Sequence, residues 1–266
     1  MKLLTDKEVR SIQLAIMDDV HDFCIRNNIR YSLGGGTLLG SIRHKGYIPW
    51  DDDIDLMMPR PDYERFLKEY KGKQPYFEID YYTTDPHYVS AFLKVIDNRT
   101  YTVGPNIIDD RNVFIDIFPV DGMPEKKELT PYVEQVQIIL ENLRKNGKYH
   151  LFEKSFPKKI LFYIKYLIKS LTIPSRNENF RRLEEIIARY PFGASPHAGV
   201  AVSQYSYKEW MDLSVFEKFQ PSEFEGRQYM ILSAYDIYLR GLYGDYMQLP
   251  PEDQRVPMHL FEVYMK

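Results

Sequence analysis

Residues 33–60 read "LGGGTLLGSIRHKGYIPWDDDIDLMMPR", and this stretch limits what the chain can fold into more than any other. Three glycines, Gly34 to Gly36, follow "IRYSL", which has the look of a short strand entering a turn. A backbone without side chains can approach an anion closely. "TLLGSIRH" then reads as a helix start, whose N–H groups and dipole favour a phosphate. Asp51, Asp52, Asp53 and Asp55 come next, with Ile54, Leu56, Met57 and Met58 set among and after them. If "DIDLMM" is a strand, Asp53 and Asp55 face one side while Ile54 and Leu56 face the other. Two carboxylates so close repel and raise each other's pKa unless a cation lies between them. Hard oxygen ligands suit Mg²⁺ or Mn²⁺.

A third acid is available further on. Asp116 stands alone in "VFIDIFP", an apolar strand where an unpaired charge is expensive. If that strand neighbours the first, Asp53, Asp55 and Asp116 form a cradle for a divalent cation. Asp51 and Asp52, just after Pro49, are expected to cap the turn and face solvent. An EF-hand is disfavoured, because Leu56 and Asp62 stand where its glycine and its twelfth-position glutamate belong. The glycines match neither G-x-x-x-x-G-K-[ST] nor G-x-G-x-x-G. A glycine turn, an acid pair on the next strand and a later acid in an apolar strand together suit metal-assisted transfer of a phosphate-bearing group from a nucleotide.

Apolar spacing supplies the frame. Thr5 with Glu8 reads as a capping box opening a helix to about Asn28. Strands dominate residues 30–120. Helices are expected afterwards, near 130–147, 178–190 and 227–243, the last with Ile231, Ala234, Tyr238 and Leu242 on one face. The expected class is therefore α+β, with a mixed sheet flanked by helices over 1–124 and a mainly helical stretch, 125–266, packed on it.

Other residues can serve the same chemistry. Gly35, Gly36 and Thr37 are the anion-binding candidates of the turn. Arg43 lies seven residues after Gly36, within reach of a diphosphate if the helix begins at the glycines. Trp50 can stack on a base, enclose a cation, or be buried beneath the turn. Lys94 interrupts an apolar strand in "FLKVIDNRT" and is preferred over Arg99 as a partner for donor phosphate or acceptor.

A net charge of −3 gives no reason to expect a nucleic-acid partner, and the single cysteine, Cys24, excludes an internal disulfide and points to a reducing compartment. "MKLLTDKEVR" has no signal-peptide core, and the expectation is a cytoplasmic protein. Residues 154–176 carry six basic residues and no acid. That pattern fits a helix docked on the domain, and also one lying on the anionic inner face of a membrane.

The stretch "GGTLLGSIRHKGYIPWDDDIDLMMPR" resembles the signature of the LicD family of phosphocholine transferases, and "KVIDNRT", "FIDIFPVDG" and "YGDYMQLPPEDQRVPMH" resemble its later blocks in the same order. The resemblance implies a nucleotidyltransferase-like core in which Asp53, Asp55 and Asp116 bind Mg²⁺ or Mn²⁺ while Gly36 and Thr37 hold donor phosphate. It also implies a CDP-choline or related CDP-alcohol donor, including CDP-ribitol, and a glycan acceptor, such as a teichoic acid or lipopolysaccharide. A lipid-linked acceptor would suit membrane contact through 154–176. The alternative chemistry is that of a nucleotide-sugar glycosyltransferase, which also uses Asp-x-Asp, although there the pair usually lies further along the chain and without a preceding glycine turn.

Overall fold

The structure is a computed structural model that describes residues 2–103, 112–147, 173–255 and 262–266. Most of the basic segment 154–176 lies outside the described residues, as does the end of the last family-like block.

Strand β1 (Lys2–Leu3) leads into helix α1 (Asp6–Asn27). The expected capping box is present. Thr5 Oγ1 accepts from the Glu8 N–H, and Glu8 Oε2 accepts from the Thr5 N–H at 2.9 Å. Asn28, at φ 51°, ends the helix in the left-handed region that asparagine tolerates. Ile16, Met17, Val20 and Cys24 form the buried stripe of α1, which packs against the central strands.

The central sheet is built from β2 (Ser32–Leu33), β3 (Asp55–Pro59), β4 (Phe77–Asp80), β5 (Leu93–Asp97) and β7 (Val113–Met123), in the order β2-β3-β7-β5-β4. β3 and β7 run parallel; the other neighbours are antiparallel. Helix α2 (Gly35–Arg43) connects β2 to the acidic loop, and α3 (Arg60–Glu69) follows β3. Strand β6 (Thr100–Val103) leaves this sheet and joins β1 and β12 (Glu262–Met265). The mixed sheet and its helices make the fold α+β.

The stretch from 125 onward is less helical than its apolar spacing predicts. Its described residues hold three helices, α4 (Lys126–Asn146), α5 (Arg176–Ile187) and α6 (Tyr235–Tyr243). They also hold strands β8 (His197–Gly199), β9 (Met211–Asp212), β10 (Phe219–Phe224), β11 (Arg227–Leu232) and β12. β8 pairs with the far end of β7, so this stretch completes the central sheet. The helix expected over 227–243 is a strand followed by a helix. Phe224 pairs with Arg227 across Glu225 and Gly226, both at positive φ, which is the geometry of a tight hairpin loop. Leu232 is then tied to β2 through its N–H and Ser32 Oγ at 2.9 Å.

Alternation gives the sheet two unlike faces. Leu56, Met58, Leu93, Val95, Ile115 and Ile117 are fully buried and form one. Asp55, Lys94 and Asp116 lie on the other. They are Cα partners of one another across β3, β7 and β5, so three charged side chains form a single transverse row.

Candidate active site

The charged row opens into a cavity of about 340 Å³. Gly34, Gly35 and Asp53 border it beside Asp55, while Tyr205, Glu209 and Tyr238 reach it from the C-terminal part of the chain.

The glycine turn is built against the row. Gly35 has φ +43°, and a Cβ there would stand 3.3 Å from Asp55 Oδ2; a Cβ on Gly36 would stand 2.7 Å from Asp51 Oδ2. No larger residue can bring the start of α2 this close to the acids. The Gly34 N–H donates to the Asp55 carbonyl at 2.8 Å, and Thr37 Oγ1 accepts from the Asp55 N–H at 2.9 Å. Thr37, expected to meet phosphate, is buried and braces α2 against β3 instead.

Asp53 lies just before β3 rather than within it, yet the alternation extends to it. Ile54 is fully buried, its carbonyl accepts from the Asp116 N–H, and Asp53 borders the cavity with Asp55. Asp51 and Asp52 do not simply face solvent. Asp51, Asp52 and Asp53 are partly buried and can bring one carboxylate oxygen each within 4.8 Å of the others. Helix α1 fixes this loop through backbone carbonyls. Arg10 donates to Asp51 O and Gln13 to Asp52 O, both at 2.8 Å, while Gln13 also accepts from Tyr47 Oη. The expected trio Asp53, Asp55 and Asp116 lines the same cavity, but its oxygens are not all gathered to 4.8 Å. Lys94 Nζ holds Asp116 Oδ1 at 2.6 Å, and lies 3.4 Å from the centre of the Phe114 ring.

Electrostatics mark the row as a site under strain. Burial raises the Asp55 carboxyl well above its ordinary value, and the charges of Asp53, Asp116 and Asp51 raise it further, against the opposing pull of Lys94. The donor set is carboxylate oxygen throughout, which fits Mg²⁺ or Mn²⁺ and not a soft metal. A divalent cation there would relieve the repulsion that the fold maintains. Glu209 is a second perturbed acid. Burial pushes it up to about 7, against hydrogen bonds from Ser203 and Val200, and among the described residues its Oε2 has no partner.

Two expected ligands stand elsewhere. Helix α2 begins at Gly35, so Arg43 sits at its opposite end, about 12 Å along the axis. There it donates to the carbonyls of Tyr246 (2.7 Å) and Gln248 (3.2 Å). Trp50 is packed on the core and under Arg255, with the guanidinium 5.6 Å from its ring, outside the residues that line the cavity. Conversely, Tyr205, Glu209, Tyr238 and Arg144 line it without having been singled out. Tyr238 was legible only as a core position of a helix, and Glu209, in "SYKEWM", carries no periodic signal. The tyrosines belong to the support of the turn: the Tyr238 hydroxyl is hydrogen-bonded to the Gly35 backbone, and the Tyr205 and Tyr243 hydroxyls are 2.8 Å apart.

Residues 28–167 match the family model described as LicD/FKTN/FKRP, nucleotidyltransferase domain. The chain is 34% identical over 278 aligned positions, covering all of both proteins, to the lipopolysaccharide cholinephosphotransferase LicD of Haemophilus influenzae. An uncharacterized protein of Rickettsia typhi is 37% identical over 71 positions, 26% of this chain and 23% of that protein. A mannosyltransferase regulator of Saccharomyces cerevisiae is 29% identical over 147 positions, half of this chain and 12% of that protein.

Proposed function

The chain belongs to the LicD family, and we propose that it transfers a phospho-alcohol, phosphocholine, from CDP-choline to a sugar hydroxyl of a cell-surface glycan such as lipopolysaccharide or teichoic acid, releasing CMP. One observation carries this reading. The row Asp55–Asp116–Lys94 meets the N-terminus of α2 in a single cavity, with two acids, the Lys94 ammonium and the glycine turn side by side.

In this reading the first turn of α2, at Gly35 and Gly36, receives the donor phosphate through backbone N–H groups. Asp53, Asp55 and Asp116, with Asp51 and Asp52 alongside, would hold Mg²⁺. When bound, the ion supplies charge neutralisation at the diphosphate. The sugar oxygen attacks the phosphorus nearer the alcohol, in line with the bond to CMP. That P–O bond breaks, and CMP keeps the electron pair. Asp116 takes the hydroxyl proton, and Lys94 beside it adds positive charge where the transferred phosphate gains negative charge.

Among the described residues no helix is long and apolar enough to cross a membrane. We place the reaction on the cytoplasmic face, where a lipid-linked acceptor could be met through 154–176.

The test is CMP release from CDP-choline in the presence of Mg²⁺ and a glycan acceptor. Asp55→Asn and Asp53→Asn should each lose roughly a thousandfold in kcat while remaining folded. Full activity in either variant would refute the assignment. Release of UDP or GDP from a nucleotide sugar would establish glycosyl transfer instead.

A further inference from the structure

One step along the strands from the charged row, the cavity floor changes character. Met57 and Phe118 are register partners across β3 and β7, Phe92 stands just before β5 with its ring against Phe118, and each lies two residues from its charged counterpart Asp55, Asp116 or Lys94. Two residues of strand are about 7 Å. The floor therefore consists of two parallel rows, one charged and one apolar. The second row is not sealed core. Phe92 and Phe118 are both only partly buried, with ring centres 4.1 Å apart, and they line the cavity together with Met57.

The next wall lies in the same direction along β7. β8 pairs with Asp121 to Met123, beyond Phe118, and Val200 follows β8 directly. A backbone hydrogen bond at Val200 and a side-chain hydrogen bond from Ser203 hold the Glu209 carboxylate against this end. Glu209 is 2% exposed, lines the cavity, and keeps Oε2 without a protein partner among the described residues. Charged row, apolar row and buried carboxylate thus line one cavity.

We infer that the end of the cavity floored by Met57, Phe92 and Phe118 and closed by Glu209 binds the head group of the donor, and that it is built for a quaternary ammonium. This rests on the transferase reading above and selects among its donors. With the reacting phosphorus over the charged row, the alcohol it carries extends either toward the apolar row or away from the floor. A trimethylammonium group is positively charged and bears only methyl surface. Aromatic faces and thioether suit that surface, and a carboxylate supplies counter-charge without needing a donor. A polyol head group would strip water from several hydroxyls and find no partner along the Met57–Phe118–Phe92 row. A primary ammonium would meet few of the acceptors its N–H groups require.

The experiment compares CDP-choline, CDP-ethanolamine and CDP-glycerol, each with Mg²⁺ and acceptor, by CMP release. The wild-type protein should favour CDP-choline at least tenfold in kcat/KM. Glu209→Gln, which keeps shape and removes charge, should raise the KM for CDP-choline about tenfold while changing that for CDP-glycerol less. Phe118→Leu keeps apolar volume but removes the ring, and should raise the CDP-choline KM several-fold with kcat nearly unchanged. A wild-type preference for CDP-glycerol, or equal losses on all donors in Glu209→Gln, would overturn the head-group site while leaving phospho-alcohol transfer intact. Absence of CMP release from every donor would overturn the transferase reading and this inference with it.

Discussion

The two faces of the central sheet come from the same strands, yet they obey opposite rules. On one, Leu56, Leu93, Val95, Ile115 and Ile117 are fully buried, and their contribution is packing. On the other, Asp55, Lys94 and Asp116 crowd charge into a partly closed cavity, which a chain selected for stability alone would avoid. The contrast teaches where stability and chemistry are separated: one residue apart along each strand. Substitution on the first face should unfold the protein without altering the chemistry. Neutralising Asp55 on the second should stop the chemistry while leaving stability intact or improved.

The sharpest way to break this contrast is to pair Ile117→Ala with Asp55→Asn. Ile117→Ala leaves a cavity in the core and should cost about 2–5 kcal/mol in denaturant unfolding, with kcat per folded molecule near wild type. Asp55→Asn should instead raise the melting temperature in Mg²⁺-free buffer at pH 8. The sign follows from the raised carboxyl: the folded state holds this proton more tightly than the unfolded chain. Stability is therefore greatest below the ordinary carboxylate range and falls as pH rises through the folded-state value. The asparagine variant escapes that fall, so its advantage should shrink toward acid pH. If Asp55→Asn melts lower than wild type at pH 8, the row is structural and the contrast fails.

Lys94→Met should come next. It leaves Asp116 without its buried ammonium beside Asp55, at a cost of about 3–5 kcal/mol in chelator. Addition of Mg²⁺ should recover part of the loss, whereas a destabilisation indifferent to Mg²⁺ would place the ion elsewhere. Glu209→Gln should show a smaller effect with the same sign as Asp55→Asn. With the folded-state value near 7, wild-type stability should decline between about pH 4.5 and 7, and the glutamine variant should remove up to about 3 kcal/mol of that decline. Thr37→Val should be the mildest, about 1–2 kcal/mol, because it leaves the Asp55 N–H without its acceptor.

Much of this site was legible because local pattern and chemistry coincide. Asp-x-Asp beside apolar neighbours implied a strand with its acids on one face, and a lone acid in "VFIDIFP" implied a second strand beside it; both expectations meet in the pairing of Asp55 with Asp116. What stayed hidden depends on long-range contacts. Arg43 was judged by its distance in sequence from the glycines, but a helix carries its two ends apart, and the structure uses Arg43 to hold the 246–248 carbonyls. Thr37 has the right side chain for phosphate, and only the register of β2 beside β3 reveals that its hydroxyl meets a backbone N–H. The strand β11 was read as helix because Ile231, Ala234, Tyr238 and Leu242 happen to keep a helical spacing across the hairpin and α6. Glu209 comes from a single 3-10 turn, and no spacing rule distinguishes a buried acid there from a solvated one. Arg10 and Gln13 look like surface positions of α1 until the acidic loop folds over them.

The most direct test of the central claim, that these acids form one divalent-cation site, is Mg²⁺ titration of the wild-type protein and Asp55→Asn by calorimetry at pH 8, without donor. The expected result is saturable Mg²⁺ binding in the wild type and a loss of at least about tenfold in affinity in the variant. Equal Mg²⁺ affinity in the two proteins would contradict it.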